Sequence, residues 1–192
     1  VEVVHGRELL APLPARAAAP LNTGSHQPRR GSLQRVQAGP ASVKRLGHAV
    51  LRVSDFRRSE AWYKSRFGFL SSDEIYLGKP ENVITAFMRC DRGEEYSDHH
   101  TLLCVGVGGV GFDHAAFEVE DIDAVMVGHD HLARAGYTHH AGVGRHVLGS
   151  QVFDYWRDPY GRVLEHFTDG DLLNRSHVTG SYAPATALGT PW

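Results

Sequence analysis

The chain repeats itself. Residues 47–56, GHAVLRVSDF, align with residues 113–122, DHAAFEVEDI, at a single shift of 66 positions (114 less 48). That shift superposes His48 on His114, Ala49 on Ala115, Val53 on Val119 and Asp55 on Asp121. Self-similarity at one fixed shift marks a duplicated supersecondary unit that buries its apolar face against its copy. Each copy reads as a strand followed at once by a helix. The first helix starts at Ser54 or Asp55 as N-cap, carries Phe56, Tyr63 and Phe67 at helical spacing, and stops before Gly68. The second starts at Asp121, with an apolar stripe of Ile122, Val125, Met126, Leu132 and Ala133, and Gly136 ends it. Three strand-like runs follow each helix. They are Phe69–Leu77, Val83–Cys90 and His100–Val107 in the first copy, and Tyr137–Gly142, Gln151–Arg157 and Arg162–Thr168 in the second. The expected fold is α+β: two βαβββ repeats, related by a pseudo-twofold, whose sheets curl toward one another around a cavity.

The repeat also sorts the 13 histidines of the chain. Residues two apart in a strand share a face, so His48 lies with Val50 and His114 with Ala116. A pseudo-twofold brings these two equivalent histidines together on the inner surface. Glu165, in the last strand VLEHF, shares its face with Val163 and Phe167, while His166 points the other way. Two imidazoles and one carboxylate on a concave sheet make the facial triad that suits non-haem Fe(II), with positions left open for other ligands. A second group surrounds the triad. Gly144-Arg145-His146 leads into a strand carrying Phe153 and Tyr155 on one face, and Asp158-Pro159-Tyr160-Gly161 is the turn that starts the Glu165 strand. His146 and Tyr155 are therefore candidates to donate hydrogen bonds into the cavity. On its own the His99-His100 pair reads as a solvated strand start.

Composition sets the boundaries. The 192 residues suffice for one ordinary domain plus tails, and 42% hydrophobic with 22% charged residues is the balance of a soluble globular protein. A formal net charge of -2 gives no electrostatic reason to expect nucleic acid, and no apolar run approaches membrane-spanning length. Cys90 and Cys104 form no disulfide framework and no zinc-type spacing, so they read as reduced thiols in a cytoplasmic protein. The compact part is about 44–170. Residues 7–43 are rich in Ala, Pro, Gly, Gln and Arg and read as a linker after an apolar strand at Val1–Val4; residues 171–192 read as an irregular tail.

The stretch from about 44 to 170 resembles the catalytic module of type I extradiol ring-cleaving dioxygenases, within the vicinal-oxygen-chelate (glyoxalase-fold) superfamily. The motifs that carry the resemblance are LGHAVLRV, the HHTLLCV run followed by FDHAAFEV, and GRHVLGSQVFDYWRDPYGRVLEHFTDG, the last being the most specific. The resemblance implies Fe(II) on His48, His114 and Glu165, His100 as an acid/base that does not bind the metal, and His146 and Tyr155 as hydrogen-bonding partners of the bound catecholate. It implies meta cleavage of a catecholic aromatic by dioxygen to a ring-opened semialdehyde or keto acid, as in the breakdown of aromatic compounds. Val50, two residues after His48 and on its face, is apolar and favours an uncharged or aryl- or alkyl-substituted catechol, although Arg89, Arg92 or Arg145 would suit a carboxylate. The family's usual enzymes have tandem modules. VEVVHG looks like the closing strand of an upstream module, residues 7–43 like its connector, and almost all of that module lies outside this chain. Apolar surface that the neighbour would cover then makes a homo-oligomer the expected state.

Two other readings use the same scaffold. A glyoxalase-like, metal-dependent isomerase or lyase needs a fourth protein ligand from the last strand of the first copy, where HHTLLCVGV has no Glu. A non-catalytic module would bind a catechol without consuming oxygen and would need neither His100 nor Tyr155.

Overall fold

A computed structural model describes residues 6, 11, 20–187, 189 and 191–192. The expected strand at Val1–Val4 lies outside the described residues. Both copies of the repeat form as βαβββ units. The first comprises β1 (Val43–Arg52), α1 (Phe56–Phe67), β2 (Leu70–Tyr76), β3 (Val83–Arg89) and β5 (Leu102–Val105); a two-residue β4 (Ser97–Asp98) between the last two lies outside the main sheet. The second comprises β6 (Gly111–Val119), α2 (Ile122–Arg134), β7 (Thr138–Arg145), β8 (Val152–Arg157) and β9 (Val163–Thr168). The tail, read as irregular from its Gly, Ser, Thr and Pro, carries β10 (Leu172–Leu173), β11 (Gly180–Tyr182) and a short α3 (Pro184–Ala187).

The pseudo-twofold is written in the strand order β11-β2-β3-β5-β1-β6-β9-β8-β7. β1 and β6 pair antiparallel at the centre, and each takes the last strand of its own copy, β5 or β9, as a parallel neighbour on its other side. The two half-sheets are thus one sheet, continuous through the β1–β6 pairing. β11 adds in parallel to β2 and covers the outer edge of the first half.

Local chemistry fixes the elements. Asp55 caps α1, accepting from the Arg58 N–H at 3.0 Å, and Asp121 caps α2, accepting from Ala124 at 2.9 Å. Gly68 closes α1 with φ 68°, a conformation glycine adopts without steric cost. α1 packs on β3 and β5, where Phe56 meets Ala86, Met88, Leu102 and Cys104. α2 lies on β7, β8 and β9 and buries Val125 and Gly128. Met126, placed in the apolar stripe from its spacing, is instead 45% exposed. Gly128 takes the packing face because the helix comes so close there. A Cβ on Gly128 would lie 2.9 Å from Ala41 Cβ and 3.3 Å from His166 Nδ1. The connector has no helix or strand over 20–42 and runs beside α2, where Gln34 Nε2 donates to Asp123 Oδ2 at 2.6 Å.

With both helices on one face, the alternation of the strands sends every second side chain to the face that the helices leave uncovered. Along β1, Leu51 packs toward α1, whereas His48 and Val50 face the other way and are buried.

Candidate metal centre

Strand register assembles the site. His48 is opposite Ala116 across the β1–β6 pair, and Ala116 is in turn opposite Glu165 across β6–β9. His114, two residues before Ala116 on the same face, is opposite Val50. The fully buried Ala116 between the two ligand strands leaves room that a larger side chain would fill. One potential ligand atom from each of His48, His114 and Glu165 lies within 4.8 Å of the others. Glu165 Oε2 is 3.1 Å from His48 Nε2 and 3.4 Å from His114 Nε2. Yet neither oxygen of Glu165 makes an aligned hydrogen bond, although the side chain is only 1% exposed. Lone pairs converging in a buried space without hydrogen bonds are the donor set of a cation site.

Electrostatics point the same way. Burial opposes charge on His114, but the Asp113 and Glu165 carboxylates outweigh it and raise its pKa to about 9. Burial also pushes Glu165 upward, and the facing His114 and His48 overcome it, holding the carboxyl down at about 2. An ionised carboxylate this deep calls for a positive charge between it and the imidazoles. Asp113 Oδ1 lies 2.9 Å from His114 Nδ1, which fixes the ring with Nε2 toward the centre. The residues present fit a divalent metal with two imidazoles and one carboxylate.

The other expected residues surround this centre. His146 Nε2 is 3.0 Å from the Tyr155 hydroxyl and 3.9 Å from Glu165 Oε1. Tyr155 is opposite Glu165 in the β8–β9 register, with its ring 5.2 Å from that of His114. Burial, followed by the nearby Glu165, raises the Tyr155 pKa well above its usual value, so the phenol keeps its proton. His146 stacks on Phe153 with 4.0 Å between centroids, and burial lowers its pKa. Val50 is buried beside His114 on the same sheet face.

His100 is not a solvated strand start. It lies just before β5, is 4% exposed, and packs its ring 4.1 Å from that of His48. Burial, then the neighbouring histidines, hold it well below the usual histidine pKa, so it is neutral. Behind it are His99, read with it as a solvated strand start and also buried, and Asp73, which sequence reasoning did not single out. His99 Nδ1 is 3.0 Å from His100 Nδ1, and His99 Nε2 is 2.7 Å from Asp73 Oδ2. Asp73 Oδ2 is placed to accept from His99 Nε2–H, which leaves His99 Nδ1 to accept from His100 Nδ1–H. The chain Asp73–His99–His100 therefore fixes the tautomer of His100, with Nε2 as its free base.

A family model described as the Glyoxalase/Bleomycin resistance protein/Dioxygenase superfamily matches residues 45–166. The chain is 36% identical over 162 residues to metapyrocatechase 2 of Cupriavidus necator, covering 83% of this chain and 48% of that protein. It is 29% identical over 134 residues to an iron-dependent extradiol dioxygenase of Rhodococcus jostii (strain RHA1), covering 65% of this chain and 43% of the relative. The fold is also similar to that of a Mn(II)-bound glyoxalase from Novosphingobium aromaticivorans, with a TM-score of 0.66 at 23% identity, covering 82% of this chain and 50% of that one. The chain thus spans about half the length of the curated relatives it matches.

Proposed function

The chain belongs to the Glyoxalase/Bleomycin resistance protein/Dioxygenase superfamily, and from that premise we propose that it holds Fe(II) on His48, His114 and Glu165 and opens a catecholic ring by extradiol cleavage with dioxygen. The observation that carries this reading is the convergence of those three side chains without hydrogen bonds to Glu165, beside His100 and the His146–Tyr155 pair. The names of the relatives, metapyrocatechase 2 and iron-dependent extradiol dioxygenase, support it. Bound Fe(II) would supply a redox-active centre at which a catechol and dioxygen can meet. The protein's own part is to orient and to move protons. Tyr155, held protonated, donates a hydrogen bond, and His146 next to it orients a catecholate oxygen. His100 Nε2 takes a proton from the substrate side and returns it, as general base and then general acid.

Asp73 would act through His99 to hold His100 in the working tautomer. Asp73→Asn is expected to keep the iron and lower turnover by roughly 10–100-fold, the usual cost of a lost partner around a metal site. Unchanged turnover with unchanged iron would remove Asp73 and His99 from the reaction.

The glyoxalase-like isomerase reading is disfavoured by a single position. Across β6–β9 Glu165 is opposite Ala116; in the first copy Val50 occupies the place of Ala116, and its partner is Leu103. The fourth ligand would have to come from this apolar residue.

An uncharged or apolar-substituted catechol is the substrate class we favour. Arg89 is committed to carbonyls of Ser71, Asn174 and His177, Arg92 to Glu95, and Arg145 to Asp169. None of the three arginines is left to meet a substrate carboxylate, and Val50 lies beside His114.

Among the described residues no helix is long and apolar enough to cross a membrane. Cys104 is buried, and burial raises its thiol pKa to about 11, so it is inert. We place the protein in the cytoplasm, with its thiols reduced. Val43 and Leu46 on β1 are 50% and 59% exposed, and Leu172 is 58% exposed. We expect this apolar surface to be covered by self-association. Sedimentation should give a mass above the 21.1 kDa of one chain; a clean monomer at high concentration would contradict it.

A further inference from the structure

On the helix-covered face of the second half-sheet, on the other side from the His48–His114–Glu165 centre, a second set of metal-type donors converges. Asp154 of β8 is fully buried. His139 Nε2, from β7, is 2.9 Å from its Oδ1, and His129 Nδ1, from α2, is 3.1 Å from its Oδ2. One ligand atom from each of the three residues lies within 4.8 Å of the other two. Trp156 Nε1 also donates to Oδ2, and the Trp156 ring packs against both imidazoles, with centroids 5.2 and 4.8 Å away.

Three features require explanation. First, among the described residues no Lys or Arg forms an ion pair with the fully buried Asp154 carboxylate; its partners are His129, His139 and the Trp156 indole. Second, one ligand atom from each of the three residues lies within 4.8 Å of the other two, near enough for a small shift to close them on an ion with bonds of about 2.0–2.1 Å. Third, His166, opposite Asp154 in the register, has a buried Nδ1 with no hydrogen bond, and it faces Gly128, one residue before His129. The helix–sheet seam therefore holds more imidazole than its hydrogen bonds use. The side chains of His129 and His139 are 27% and 35% exposed, so an ion can enter from solvent.

We propose that His129, His139 and Asp154 form a second site, for a divalent transition metal of the imidazole-seeking kind represented by Zn(II). Its three ligands come from α2, β7 and β8, so the ion would tie the helix and an edge strand to the strand that carries Tyr155 on its opposite face. Asp154 and Tyr155 are adjacent in sequence, and the sheet separates the two centres.

Zn(II) itself is the probe, added to the full chain by equilibrium dialysis at low-micromolar free metal and measured by elemental analysis. The expected result is two Zn(II) per wild-type chain, one in His48→Ala, one in His139→Ala and none in the double variant. Zn(II) content in His139→Ala equal to wild type, or retention by the double variant, overturns the second site. One Zn(II) in wild type that is lost in His139→Ala and kept in His48→Ala leaves the second site standing and instead contradicts the His48 centre. A second measurement needs no substitution in the new site. His48→Ala loaded with Co(II) should show visible ligand-field bands that Zn(II) abolishes, and their absence overturns the proposal.

Discussion

Glu165→Ala is expected to lose its iron and all ring-cleaving activity while the chain stays folded, and His48→Ala and His114→Ala should do the same. With one ligand gone, two donors remain, too few to hold labile Fe(II). Loss of the carboxylate removes the only anion of the set and leaves His114 facing Asp113 alone. The fold should survive because the Glu165 oxygens make no hydrogen bond that the rest of the protein depends on. Removing a buried charge also lifts its desolvation cost. Iron per chain after anaerobic loading and the far-ultraviolet circular dichroism of each variant check both halves of this expectation. Iron content equal to wild type in Glu165→Ala would sink its assignment as a ligand.

His100→Phe is expected to keep iron and catechol binding and to slow turnover by roughly 10²–10⁴-fold, the range for losing a general acid/base. Phenylalanine fills the buried space against His48 and Phe87, where His100 is 4% exposed, so packing should be preserved. What goes is the nitrogen that the Asp73–His99 pair prepares for proton transfer. Oxygen uptake should then exceed ring cleavage, because the proton needed to complete the reaction arrives late. Loss of iron in His100→Phe would make His100 a ligand and favour the glyoxalase-like reading. Unchanged turnover would reduce it to a packing residue.

The parts of the site that could be read from the sequence are those governed by short periods. The 66-residue shift placed His48 and His114 on equivalent strands, and alternation put Glu165 rather than His166 on the inner face. The caps at Asp55 and Asp121 were legible because a short polar side chain before an apolar run has one common use. The rest depends on pairing between distant segments, about which periodicity is silent. Asp73 reaches His99 only because β2 and the turn before β5 meet in space, and His100 is buried for the same reason. His129, His139 and Asp154 come from three elements and follow no common motif. Met126 has the spacing of a core residue, but the close approach of α2 at Gly128 turns it outward.

Loading the chain anaerobically with Fe(II), then measuring oxygen uptake and ring-opened product against a panel of catechols, decides whether this centre cleaves rings. One iron per chain is expected at the His48–His114–Glu165 centre, with oxygen consumed in step with ring-opened product. Apolar-substituted catechols should react faster than carboxylated ones. Iron bound at that centre with no oxygen consumed on any catechol would contradict ring cleavage and leave a module that only binds.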